Sequence, residues 1–188
     1  MKNLIERNLN GKKVFLLFLL TNLVYAFMLL VTIPKVMEFS NGIKLLDMMP
    51  TGYDADYVHT LLDTLGNQGR SFYLYMQIPI DLIYPALFGI SYCLILAYYL
   101  NRLNKLNSFL LYLCLLPIAA GFFDYLENFG IISMLKSYPN YSQNIIMNTN
   151  IFTILKSLFT SIYFMVLFVV LIIVGLKIFK KKIGIRAT

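Results

Sequence analysis

The chain has 188 residues, of which 59% are hydrophobic and only 13% charged, with a formal net charge of +7. A soluble domain is nearer half apolar and a quarter charged, so the composition excludes an ordinary soluble enzyme and points to a single-domain, all-α integral membrane protein. The positive charge lies mainly in the two tails and one short loop, where topology and contact with anionic lipid account for it, so no nucleic-acid partner is expected.

The first predicted element is an apolar helix over residues 14–33, closed by Pro34. It is about as long as a bilayer crossing requires. The apolar run exceeds a typical signal core and no Ala-x-Ala-like site follows, so it is read as an uncleaved helix.

A long connection runs from Lys35 to Ser71 and has structure of its own. Pro50, Thr51 and Gly52 form an entry. Asp54 and Asp56 suit a helix N-terminus, and Val58, Leu61, Leu62 and Leu65 recur at helical spacing. Gly66 is placed as a C-terminal cap. The pattern predicts a short amphipathic helix over 54–65, lying on the outer membrane surface or capping a bundle. His59 falls on its polar side as a solvated residue.

The second membrane helix is predicted over 72–100, with Pro79 and Pro85 inside it, and the third over 108–135, with Pro117 and Gly121 inside it. The short turn "NRLNKLN" makes these two an antiparallel hairpin. A polar connection, "KSYPNYSQNIIMN", leads to the fourth helix over 151–179. Cys93 and Cys114 share no Cys-x-x-Cys spacing and read as small packing residues.

Counting basic residues by side orients this four-transmembrane-helix bundle. Eleven of the sixteen Lys and Arg fall in the two tails and the turn between the second and third helices. The positive-inside rule then places both termini in the cytoplasm of a multi-pass cell-membrane protein, with the 54–65 helix in the first external loop.

Polar residues interrupt the apolar helices at one depth. Asp81 lies about 13 Å in from the outer end of the second helix, and Asp124 about 12 Å in from that end of the third. Within "FDYLENFG", Asp124, Glu127 and Asn128 share one helical face. Lys156 sits in the outer part of the fourth helix. On the second helix Tyr73, Gln77, Asp81 and Tyr84 form a stripe, with Arg70 one turn above; Thr160 follows Lys156 on the fourth.

An ionisable group in hydrocarbon costs roughly 2.5–3.5 kcal/mol on insertion scales, so these groups face one another or a water-filled space. Three acids against one lysine leave an excess of negative charge, which suits acid–base work or cation binding. Asp81, Asp124 and Glu127 are therefore the candidate catalytic residues. Asn128, Lys156, Gln77, Tyr84, Tyr73, Arg70 and Thr160 are the candidate ligand contacts.

Three function classes fit this carboxylate-rich pocket. One is a membrane enzyme acting on a small lipophilic molecule that enters from the outer leaflet. The second is a small transporter or receptor for a cation or lipophilic amine, for which four helices are few, so that a homodimer is its expected form. The third is an accessory protein whose polar residues simply hold helices together. Glycine-rich phosphate loops, nucleophile elbows, haem-attachment signatures and familiar metal-ligand spacings are all missing from the sequence, so no cofactor and no metal are expected. The expected partners are the lipid bilayer and a lipophilic or cationic small molecule.

Overall fold

The structure is a computed structural model that describes residues 2–106 and 108–186. Among these residues it is all-helical, without strands, and four of its helices are long and apolar enough to cross a membrane. A short helix α1 (Lys2–Arg7) is followed by α2 (Gly11–Phe39), α3 (Ala55–Arg102), α4 (Phe109–Ser137) and α5 (Gln143–Arg186).

The prolines shape each long helix. A proline has no N–H to donate four residues back, so the preceding turn must change its bonding. Pro34 is preceded by a π-turn, Met28–Thr32, in which the Ile33 amide reaches the Met28 carbonyl. Pro79 follows a second π-turn, Tyr73–Gln77. Pro85 follows a break at Leu82–Ile83, and Pro117 follows a 3-10 stretch, Phe109–Leu115. Pro34 was expected to end the first helix. Instead the π-turn absorbs the lost bond and the helix continues to Phe39.

Helix α3 begins with Asp54 as N-cap, its side chain accepting from the Tyr57 amide at 2.8 Å. Val58, Leu61, Leu62 and Leu65 are buried along its first turns. At Gly66 (φ 59°, ψ −175°) the chain kinks through a conformation that only glycine adopts readily, and the helix then resumes toward Phe72. Gly66 thus ends one helical stretch, at the place expected for its cap, and a second stretch begins directly after it.

The Leu116–Ser137 part of α4 packs against α5, and α3 lies against α4. Gly121 makes the α3–α4 approach close, since a Cβ there would stand 2.7 Å from the Pro85 carbonyl oxygen. Helix α2 rests mainly on α3 and leaves a seam facing α5.

Two apolar clusters result. One gathers around Phe88, Leu96, Leu100, Cys114 and Tyr163, and the other around Val36, Leu46, Leu61, Ile131 and Met134. The polar residues of α3, α4 and α5 lie between them along the chain. The first and last spans bury only 17% of their most apolar stretch inside the protein, which leaves a wide apolar surface of the kind a bilayer covers.

Candidate functional site

The acid cluster is built where helix geometry changes. Asp81 ends the α-turn Ile78–Asp81 that follows the Tyr73–Gln77 π-turn. Pro85, four residues on, cannot bond to its carbonyl. On the regular helix α4, Asp124, Glu127 and Asn128 all face inward and are buried. On α5, Lys156 reaches across to α4. Its Nζ lies 3.3 Å from Asp124 Oδ1 and in direct contact with Glu127 Oε2. The other Glu127 oxygen accepts from Thr153 Oγ1 at 2.7 Å.

The lysine is thus shared by Asp124 and Glu127. Asp81 is left out of this network. It is 4% exposed, and among the described residues its side chain makes no hydrogen bond or ion pair.

Asp81, Asp124 and Lys156 line a cavity of about 440 Å³. Ser157, Thr160 and Ser161 add further polar lining from α5. The rest of the lining is largely apolar and aromatic, with Tyr25, Met28 and Ile33 from α2 and Tyr84 and Phe88 from α3. Tyr25 and Tyr84 stack at 5.2 Å between ring centroids. Because α2 and α5 both border the cavity without close packing between them, it opens along their seam.

A further acid reaches the same cavity from the connection between α2 and α3. Leu45 and Leu46, both fully buried, anchor a 3-10 turn, Leu46–Met48, that turns Asp47 toward the cavity. Asp47 Oδ1 accepts from the Tyr73 hydroxyl at 3.2 Å. Burial pushes the Asp47 carboxyl above its ordinary range, against the pull of Lys156 and of the Tyr73 hydroxyl. Sequence reasoning missed Asp47, which lies in a long connection. The available signal was "LLDMMP", a lone acid between apolar pairs, which is unusual for a solvated loop. The connection is pinned to α5 where the Tyr53 amide donates to Asn150 Oδ1 at 3.0 Å.

The expected site residues divide into three groups. Asp81, Tyr84, Asp124, Lys156 and Thr160 line the cavity. Glu127, Asn128, Gln77 and Tyr73 are fully buried behind it. Gln77 Oε1 accepts from Thr32 Oγ1, whereas Gln77 Nε2 and both amide atoms of Asn128 have no hydrogen-bond partner among the described residues.

Arg70 stands apart. It was expected one turn above the Tyr73 stripe, but the kink at Gly66 turns its side chain back. Its guanidinium donates to the Leu62 carbonyl at 2.6 Å and to Asn67 Oδ1 at 2.5 Å, and it stacks 3.7 Å from the Tyr138 ring centroid. It belongs to a different pocket, with Lys136 and Tyr138. His59 is also remote from the acids, stacked on Tyr141 with Nδ1 2.8 Å from the tyrosine hydroxyl.

No group of three His, Cys, Asp or Glu side chains is arranged to hold a metal ion among the described residues. Comparison with protein-family models, with curated proteins and with solved structures gives no match.

Proposed function

We propose that the cavity binds a small lipophilic cation. The observation that carries this reading is the Asp81 carboxyl group, buried against the cavity with no ion pair of its own among the described residues, while the ion pairs of Lys156 go to Asp124 and Glu127. Asp47 adds a second acid on the same cavity. A cationic head between Asp81 and Asp47 would be attracted by both and would offset one negative charge. Tyr25, Tyr84 and Phe88 offer ring faces to the cation and apolar surface to its lipophilic body. The seam between α2 and α5 gives such a molecule a path from the lipid without passing through water.

In this reading the protein is a multi-pass protein of the cell membrane with both termini in the cytoplasm, as the distribution of Lys and Arg favours. The cavity then lies in the extracytoplasmic half of the bundle. The stretch before Gly66 and the Asp47 turn form its cap. Binding and carriage are favoured over chemistry because a buried, unpaired carboxylate is a counter-ion in search of a cation.

Binding of tetraphenylphosphonium to the full chain in lipid nanodiscs tests the reading. The parent protein should bind it, and Asp81→Asn should weaken binding about tenfold or more while unfolding at a similar temperature, as expected for loss of a charged contact. Equal binding by the two, or none by the parent, overturns it.

A further inference from the structure

A second cavity, of about 510 Å³, lies farther along the same seam, at the end of the bundle that carries α1 and the turn after Arg102. Its walls are almost wholly apolar. Val14, Phe15 and Phe18 come from α2, Ile95 from α3, and Leu167 and Leu171 from α5. Phe88 and Tyr92, with ring centroids 4.6 Å apart, separate it from the acidic cavity, so the two are distinct compartments.

The mouth of this groove is basic. Tyr98 lines it, and the Tyr98 hydroxyl accepts from Arg102 Nη2 at 2.7 Å. Gly11 is at the same place, since a Cβ on it would lie 3.3 Å from that hydroxyl. The adjoining Lys12 and Lys13 are exposed, and Lys177 Nζ donates to the Arg102 carbonyl at 3.2 Å. None of these four basic side chains forms an ion pair among the described residues. An apolar groove that ends in lysines and an arginine without ion pairs among the described residues, at a helix end, complements one class of molecule: a lipid with long chains and an anionic head.

We propose that this groove is a binding site for an anionic glycerophospholipid of the leaflet at that end. An acyl chain lies between α2 and α5 against Phe15, Phe18 and Leu171, and the phosphate is held by Arg102, Lys177 and Lys12. The lipid would fill the seam that α2 leaves open and tie the first helix to the last. Basic pockets between membrane helices are where such head groups are held. The site shares no residue with the cation cavity, so either proposal can fail without the other.

Native mass spectrometry of the full chain released from detergent micelles, after incubation with long-chain phosphatidylglycerol or phosphatidylcholine, tests this. The parent should retain phosphatidylglycerol in preference to phosphatidylcholine. The exposed double variant Arg102→Gln, Lys177→Gln should lower that retention about thirtyfold, since each of the two removed charges contributes a comparable attraction to an anionic head. Leu171→Phe, which fills the groove and leaves every charge in place, should lower retention of both lipids. Circular dichroism confirms that each variant keeps its helix content. Equal retention of the two lipids, unchanged retention in both variants, or a lipid-free dimer whose second copy occupies the seam would overturn the proposal. Retention of glycerol phosphate as strongly as of the lipid would overturn it too, because the apolar groove would then contribute nothing.

Discussion

Lys156 shows how one residue decides the charge state of the interior. Among the described residues it is the only cation drawn into the acid cluster, and it meets Glu127, whose side chain is fully buried. Replacing it with methionine keeps the length and removes the charge. Glu127 and Asp124 would then be left as unpaired acids in an apolar surrounding, at a cost of about 3–5 kcal/mol. Lys156→Met should therefore lower the unfolding midpoint of the detergent-solubilised protein strongly. Adding Glu127→Gln should restore much of the loss, because the amide can still accept from Thr153 and carries no charge to strand. A double variant no more stable than Lys156→Met alone would show that the ion pair does not hold the two helices. At this scale the sequence was informative about Asp81, Asp124, Glu127 and Lys156, because charge inside an apolar run has few places to go. It was uninformative about Asp47, whose position depends on how a connection folds back.

At the scale of elements, the helices are apolar rods whose irregularities are placed by proline and glycine. Each of the four prolines within the spans sits just after a non-α turn, and two of those turns carry polar residues inward. Gly121 lets α3 and α4 meet at the level of the acids. In Gly121→Ala the new Cβ would press on the Pro85 backbone, which cannot rotate away as a side chain could. Separating the helices should cost about 1–3 kcal/mol, read as a lower unfolding temperature. If the cation reading holds, the same variant should also weaken binding at Asp81, since Pro85 is only one turn away. An unchanged unfolding temperature would mean that the helices part without loss at that point. Helix lengths were less legible than helix identities. Pro34 looked like a stop and proved to be a bend, because a π-turn before it absorbs the missing bond. Gly66 does end its helical stretch, but a second stretch starts directly after it, so no loop separates the two.

For the whole molecule, the proposed orientation can be checked directly. Green fluorescent protein fused after the last residue should fluoresce in cells if the C-terminus is cytoplasmic, since it does not fold after export in unfolded form. The same reporter fused within 138–142 should remain dark. The reverse pattern would invert the assignment and move the acidic cavity to the cytoplasmic half.

By itself the sequence determined that the chain is helical and membrane-suited, where its four spans lie, and which residues could not face lipid. Apolar length and buried charge are local properties, and each carries its cost whatever the neighbouring helices do. Only the tertiary structure decided how the charges are shared: Lys156 committed to Asp124 and Glu127, Asp81 left alone on a cavity, Asp47 brought in from a connection, and Arg70 turned away. Those outcomes depend on which helices touch and where they bend, and the pairing of charges across four rods is set by distances that no single stretch of chain contains.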